Sequence, residues 1–104
     1  MKIPEHPIPE SWSVYLLLCD RKVIYTGIAK DPQLRLSQHQ QGAPLGAKFT
    51  RRFKNIELVY HTIAGDRSAA SKIEYLIKKL PAKTKHQIIK QQPDCETLCN
   101  WLEQ

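Results

Sequence analysis

The strongest constraint on the fold is a pair of short β-favouring runs near the N-terminus, separated by a few polar residues. Residues 12–19 form one run and residues 23–28 the other, with Asp20 and Arg21 between them. Aromatic and branched side chains in runs of this length predict strands, and a short polar connection between them predicts a hairpin. The fold is therefore expected to begin with two antiparallel strands.

The rest of the chain carries alternating helix and strand signals. Asp31-Pro32 predicts a helix that runs to about residue 41 and ends at Gly42. Residues 42–54 are expected to form a loop with a short extended piece. A third strand is predicted over 56–63, and a second helix over 67–80, capped by Asp66. Two more helices are predicted, one capped by Thr84 and ending near residue 91, the other over 97–102.

Length and element order indicate one small domain. A chain of 104 residues can enclose a single core. We predict a Pro-rich N-terminal arm over 1–11, a main domain over 12–92, and a C-terminal helical tail over 93–104 packed on it. The order of elements predicts an α/β (α+β) fold, with a small, mainly antiparallel sheet covered by helices.

The charge balance favours a polyanionic partner. Lys and Arg total 16 against 10 Asp and Glu, a net charge of +6. Basic domains bind nucleic acid by releasing counterions, although mild basicity is also common in other soluble proteins. No apolar run approaches the length of a membrane span, and the N-terminus lacks the apolar region of a secretory signal. Three free cysteines, with no fourth zinc ligand beside Cys95, Cys99 and His86, fit a cytoplasmic protein.

The first candidate site residues lie on the predicted hairpin. If Tyr15 pairs with Tyr25, the loop is Cys19-Asp20-Arg21, and both phenols share one face close to a single phosphate. Gly27 removes a side chain near the end of the second strand and lets a backbone or a ligand come close. The alternatives are that tyrosines simply favour strands and that Gly27 is an ordinary bulge or turn residue.

The second group of candidates lies on the two longer helices. Arg35 and His39 are one turn apart and so share a face. A guanidinium fits phosphate oxygens, and an imidazole can donate to a phosphate or shuttle a proton. Glu74 falls at the rim of an apolar stripe, and a single carboxylate there suits Mg²⁺. The alternatives are a solvated face for the first pair and an ion pair of Glu74 with Lys78.

Together these residues resemble a known family pattern. Ser13-Val14-Tyr15 and Tyr25-Thr26-Gly27 are similar to the two halves of the GIY-YIG motif, with Ser13 in place of the first Gly and Thr26 in place of Ile. Residues of the first helix are similar to the helix that follows the motif. Several segments resemble the compact stand-alone bacterial members of this family, the YhbQ-like group. These segments are 46–52, 57–60, 66–70, Glu74 and 77–80.

The resemblance implies a fold and an activity. The fold is a three-stranded antiparallel sheet flanked by helices. The activity is metal-dependent endonucleolytic hydrolysis of phosphodiester bonds, on DNA in preference to RNA, with selection by substrate shape and a link to DNA repair or recombination. One Mg²⁺ or Mn²⁺ is the implied cofactor, and nucleic acid is the implied partner. The residues implied as catalytic are Tyr15, Tyr25, Arg35, His39 and Glu74.

The implied roles differ among these residues. Glu74 is the metal ligand, Arg35 clamps the phosphate, and His39 supports the same centre. Tyr15 and Tyr25 activate or position the attacking water; the choice of base between them stays open, with Tyr15 slightly favoured. A phenol is a weak base at neutral pH, so its pKa has to be lowered, or its proton passed on, for it to activate water.

The expected contacts to flanking nucleic acid are made by Gly27, Lys48, Arg51 and Arg52, although these basic residues could equally form a solubilising loop. Two other functions stay open. The same cleft and basic loop could bind nucleic acid without cutting it, or the chain could be a protein-interaction adaptor. For the nuclease itself, a protein partner could supply specificity. The C-terminal residues Cys99, Trp101 and Leu102 could dock such a partner or pack on their own core, and packing is preferred. The sequence does not indicate an oligomeric state.

Overall fold

The computed structural model describes residues 11–41 and 50–103. The predicted N-terminal arm, apart from Ser11, and the predicted helix stop at Gly42 lie outside these ranges. A single 3₁₀ turn covers Thr50–Arg52, so this part of the predicted loop is not extended. The strands and helices are β1 (Trp12–Cys19), β2 (Val23–Ala29), α1 (Pro32–Gln41), β3 (Ile56–Gly65), α2 (Arg67–Lys78), α3 (Ala82–Gln91) and α4 (Cys95–Leu102).

The three strands form one antiparallel sheet in the order β2-β1-β3. The predicted fold class, a small antiparallel sheet flanked by helices, is confirmed. β1 is central and both edges of the sheet come from later strands, so the N-terminal strand is the most enclosed of the three. Among the described residues, no helix is both long and apolar enough to cross a membrane.

The hairpin register differs from the predicted one by two residues. Tyr15 pairs with Gly27, and Leu17 pairs with Tyr25, so the predicted pairing of the two tyrosines is wrong. The loop begins at Asp20 instead of Cys19. Because side chains alternate along a strand, a shift of two residues leaves both tyrosines on the same face of the sheet. The expectation that the phenols share a face is therefore confirmed.

A long-range contact explains where the hairpin loop falls. Asp20 and Arg21 have φ angles of 50° and 59°, in the left-handed region that aspartate tolerates better than most residues. The Asp20 carboxylate accepts hydrogen bonds from the backbone N–H of Lys54 at 3.0 Å and of Asn55 at 2.7 Å. These bonds hold the loop against the segment that leads into β3.

The helix starts follow capping chemistry, with two departures from prediction. Asp66 caps α2 as expected, and its side chain accepts from the Ala69 N–H at 2.8 Å. Helix α3 begins two residues before Thr84, after Pro81, so the predicted Thr84 cap is wrong. Helix α4 begins at Cys95 because Asp94 caps it by accepting from the Thr97 N–H at 2.8 Å, which the sequence prediction overlooked.

The two faces of the sheet have different cores. We call the face covered by α2, α3 and α4 the helical face, and the face covered by α1 the site face. Alternate residues of β1 point to each. The buried residues of the helical face are Val14, Leu16, Tyr60, Ile73, Ile77, Ile88 and Leu98. Those of the site face are Tyr15, Leu17, Cys19, Ala29 and Ile56, with Leu36 of α1 packed against them.

The C-terminal helix is part of the helical-face core. Leu98 is fully buried there, and Cys99, Trp101 and Leu102 are half-buried and pack against the same cluster. The hydroxyl of Tyr60 donates to the carbonyl of Pro93 at 2.7 Å, which ties the segment before α4 to β3. The C-terminal residues therefore pack against the core of the helical face, which is the alternative preferred from the sequence.

Candidate active site

The centre of the site face is a buried chain of three hydrogen-bonded side chains. Tyr15 Oη lies 2.9 Å from His39 Nε2, and His39 Nδ1 lies 2.7 Å from Thr50 Oγ1. Tyr15 and His39 are each 1% exposed, and Thr50 is fully buried. One arrangement satisfies every group: Tyr15 donates to Nε2, and the N–H of Nδ1 donates to Thr50. The chain fixes the position of the Tyr15 phenol.

Tyr25 completes an aromatic cluster around this chain. Its ring meets the His39 ring edge-on, with 5.2 Å between centroids, and lies 6.4 Å from the Tyr15 ring. Such tilted arrangements are the ones that aromatic pairs favour. Tyr25 is half-buried, whereas Tyr15 is enclosed. Of the two phenols, Tyr25 is therefore the more accessible from solution.

Gly27 is required by the position of Tyr15. A Cβ atom placed on Gly27 would lie 2.5 Å from Tyr15 Oη and 2.6 Å from Cζ. Atoms this close clash, so any side chain at residue 27 would push the phenol away from His39. We predicted that the missing side chain at Gly27 leaves room for a backbone or a ligand. The Tyr15 ring fills that room instead.

Arg35 reaches the phenol from α1. Its Nη1 donates to Gln38 Oε1 at 2.8 Å, and its charge is near enough to act on the pKa of Tyr15. The predicted sharing of one helix face by Arg35 and His39 is confirmed, since both lie toward Tyr15. Arg35 is half-buried, so part of its guanidinium can receive an anion.

The surroundings shift two pKa values in opposite directions. Burial raises the pKa of Tyr15 well above its usual value; the adjacent Tyr25 and Glu74 charges raise it further, and Arg35 opposes them. Burial, together with the Arg35 charge, lowers the pKa of His39 to about 4. At neutral pH the chain therefore contains a neutral phenol and a neutral imidazole. The predicted contact of His39 with a phosphate does not fit, because both ring nitrogens bond within the protein.

Glu74 lies where the sequence placed it, at the rim of the buried stripe of α2. Its neighbours Ala70 and Ile77 are buried, while its own side chain is 22% exposed. The carboxylate pairs with Lys78 Nζ at 3.3 Å. Lys78 in turn lines a groove of about 320 Å³ to which Tyr25 of β2 also contributes. The carboxylate is also near enough for its charge to act on the pKa of Tyr15.

The structure tests little of the predicted basic loop. Lys48 and the side chain of Arg51 lie outside the described part of the chain. Arg52 is exposed, with its guanidinium carbon 5.0 Å from the centroid of the Phe53 ring. It belongs to the same 3₁₀ turn as Thr50, so this cation lies close to the buried hydrogen-bond chain.

Comparison with known proteins adds a family to this geometry. Residues 11–87 match the model of the GIY-YIG catalytic domain, and these residues span the sheet and the first three helices up to Gln87. The chain belongs to the GIY-YIG family. The GIY-YIG catalytic domain defines a nuclease family. In this chain Tyr15 lies on β1 and Tyr25 on β2, the two strands of the motif, while Arg35 lies on α1 and Glu74 on α2.

Full-length similarity places this GIY-YIG chain among UPF0213 proteins, the YhbQ-like group. It is 44% identical over 95 residues to a UPF0213 protein of Pectobacterium carotovorum subsp. carotovorum, covering 91% of this chain and 89% of the relative. It is also 44% identical over 82 residues to a UPF0213 protein of Yersinia enterocolitica, covering 79% and 82%. A Yersinia pestis relative matches similarly, at 79% and 84%. No solved structure matches significantly.

Two residues of this GIY-YIG site were missed by the sequence analysis. Thr50 bonds to His39 from eleven residues away, and Gln38 bonds to Arg35 within α1. Gln38 could have been found, because residues three apart on a helix are neighbours. Thr50 had no such signal, because only the folded chain brings the 3₁₀ turn back to α1.

Proposed function

We propose that the chain is a metal-dependent endonuclease that hydrolyses nucleic-acid phosphodiester bonds, with DNA preferred to RNA. The observation that carries the proposal is the Tyr15–His39–Thr50 chain, with the charge of Arg35 acting on the same phenol. A core that needed only packing has no use for three buried polar side chains and a cation at one point. Membership of the GIY-YIG family supports this assignment.

Glu74 fits a single-carboxylate site for Mg²⁺ or Mn²⁺. Within residues 11–41 and 50–103, no three His, Cys, Asp or Glu side chains lie together as a metal cluster, so Glu74 would be joined by substrate phosphate and water. Its present partner, Lys78, is 54% exposed and therefore displaceable. When bound, the ion supplies positive charge that polarises the phosphate and stabilises the leaving oxygen.

The protein residues divide the remaining work. Arg35 donates to the phosphate oxygens and offsets the charge that develops on them. Tyr25, the more accessible phenol, accepts a hydrogen bond from the attacking water and aligns it. Tyr15 keeps its proton at neutral pH because burial raises its pKa, so the slight preference for Tyr15 as the base is not supported by its surroundings. His39 and Thr50 hold Tyr15 in place.

A second function is favoured by one observation, the Glu74–Lys78 ion pair. Because this pair already neutralises the carboxylate, the chain could hold nucleic acid without a metal ion and without cutting. Such a binding module would show salt-dependent affinity through its basic residues and would release no product.

The test is cleavage of labelled single-stranded, duplex, flapped and four-way DNA, and of matching RNA, in Mg²⁺, Mn²⁺ or EDTA. Wild type is compared with Glu74→Ala. We expect product from wild type with a metal ion, and none in EDTA or from the variant, while its circular dichroism and oligonucleotide affinity stay at wild-type values. Salt-dependent binding without product on any substrate would favour the binding module, or a nuclease that needs a protein partner.

A second arm of this test measures metal binding directly. Lys78→Met removes the cation that competes with a metal ion for Glu74. Mn²⁺ affinity, measured by electron paramagnetic resonance, should therefore rise about twofold, which corresponds to the free energy of an exposed i,i+4 ion pair. Lys79→Met is the matched control, because Lys79 lies over the Tyr75 ring at 4.2 Å instead. Equal Mn²⁺ affinity in wild type and Glu74→Ala would rule out Glu74 as the ligand.

A further inference from the structure

An open cleft beside the candidate active site has no role in the proposed chemistry. Its volume is about 360 Å³, and it extends from Arg35 on α1 to Trp12 at the start of β1. Because the charge of Arg35 also acts on the Tyr15 phenol, one end of the cleft is part of the candidate active site. The other residues that line it are Ile28, Ala29, Lys30, Asp31, Leu34 and Gln38.

At the far end of the cleft the Trp12 ring lies near two cations, Lys30, which lines the cleft, and Arg67 at the start of α2. Lys30 Nζ lies 5.8 Å and Arg67 Cζ 5.4 Å from the centroid of the half-buried Trp12 ring. Both distances fall within the ~6 Å range of cation–π interactions, so a base that stacks on Trp12 takes the place of one of these two exposed cations. An indole flanked by cations is the combination that proteins use to hold nucleobases together with their phosphates.

A second apolar side chain in the lining of the cleft is open to solvent. Leu34 is 57% exposed, so its side chain is available to a ligand there. It lies next to Arg35 in α1 and lines the same cleft as Trp12. A flat aromatic ligand between Trp12 and Leu34 would remove apolar surface from water on both of its sides.

We propose that this cleft is a nucleobase subsite. The base of the nucleotide next to the phosphate at Arg35 packs against Trp12 and Leu34, and Lys30 and Arg67 lie beside its flanking phosphates. The subsite rests on the proposed function, since it takes the phosphate at Arg35 as its starting point. Every base has an aromatic face, so the subsite accepts all four bases but requires one that has left its stack.

The two tryptophans, Trp12 and Trp101, allow a direct test. In the Trp101→Phe variant, Trp12 is the sole indole reporter. This variant is titrated in EDTA with a single-stranded DNA oligonucleotide, and with versions that carry one abasic residue at successive positions. We expect saturable quenching of Trp12 fluorescence by the intact strand. Quenching should be lost when the abasic residue occupies one register relative to the bound phosphate, and retained elsewhere.

Variants provide an independent readout. Trp12→Ala should weaken oligonucleotide affinity by about 5- to 150-fold, with the salt dependence of binding unchanged, because no charge is removed. Lys30→Gln should instead lower the slope of log affinity against log salt by about one. Trp12→Phe keeps an aromatic face and should retain most of the affinity, which separates loss of stacking from loss of folding.

The outcomes separate the subsite from the proposed hydrolysis. Unchanged Trp12 fluorescence at saturating oligonucleotide, together with wild-type affinity for Trp12→Ala, would overturn the subsite even if Glu74-dependent cleavage is observed. Position-dependent quenching together with weakened binding by Trp12→Ala would establish the subsite even if no metal produces cleavage.

Discussion

Two buried tyrosines on opposite faces of the same sheet show how differently one side chain can be used. Tyr15 on the site face is 1% exposed, and Tyr60 on the helical face is 2% exposed. Tyr60 donates to the carbonyl of Pro93, a partner that cannot titrate, and burial is the main reason that its pKa rises to about 12. Tyr15 instead meets an imidazole and a guanidinium. Burial alone therefore does not distinguish the two tyrosines; the partners of the hydroxyl do.

The largest effect on stability is expected from the helical face. Leu98→Ala empties a fully buried position on α4 and should lower the free energy of unfolding by about 2–5 kcal/mol. Urea denaturation measures this change. Ile63→Ala on β3, where the side chain is 49% exposed, is the control and should cost less than about 1 kcal/mol. A small effect of Leu98→Ala would mean that α4 is not part of the core.

The largest effect on chemistry is expected from the site face. Arg35→Ala should lower the single-turnover cleavage rate by about 10²–10³-fold, the usual result of removing one donor to a developing anion. Arg35→Lys keeps the charge but loses the planar fork, so it should recover only part of the rate. Cleavage at the wild-type rate by Arg35→Ala would remove Arg35 from the mechanism.

The two tyrosines can be compared by removing one oxygen atom from each. Tyr60→Phe leaves the Pro93 carbonyl without its partner and should cost about 1–3 kcal/mol of stability, with no change in the cleavage rate of the folded protein. Tyr15→Phe should cost a similar amount and also slow cleavage. If Tyr60→Phe slows the folded enzyme equally, the contrast between the two faces fails.

Over any one pH unit, the smallest effect expected is the pH dependence of stability from the site face. Folding lowers the pKa of His39 from 6.5 to about 4, so between these values the unfolded chain binds the proton first. The contribution of His39 is complete above pH 6.5 and is lost as pH falls toward 4, at about 1 kcal/mol per pH unit. Urea denaturation from pH 4 to 7 should show a shallower slope for His39→Gln, whereas His86→Gln, at an exposed position, should keep the wild-type slope.

The strands, the helix caps at Asp31 and Asp66, and the shared face of the tyrosines could be predicted from the sequence. Side-chain periodicity and helix capping depend only on residues that are close together in the chain. Long-range contacts decided the rest. The hairpin loop is held by hydrogen bonds that Asp20 accepts from the backbone N–H groups of Lys54 and Asn55, and no hairpin rule contains these bonds. The burial of His39 depends on Tyr15 and Thr50, so a residue expected to meet a phosphate holds a phenol instead.

The contact of the Tyr15 ring with Gly27 is a steric link between the two halves of the GIY-YIG motif. The constraint runs from the ring to the glycine: a side chain at residue 27 displaces the ring, so Gly27 is needed as long as the ring is present, and the three atoms nearest to an added Cβ all belong to Tyr15. In an alignment of relatives the two positions should therefore covary. Chains that carry alanine or a larger residue at the position of Gly27 are expected to be the ones that have lost the aromatic ring at the position of Tyr15. Such chains would keep the fold of a nuclease domain while having given up the geometry of its site.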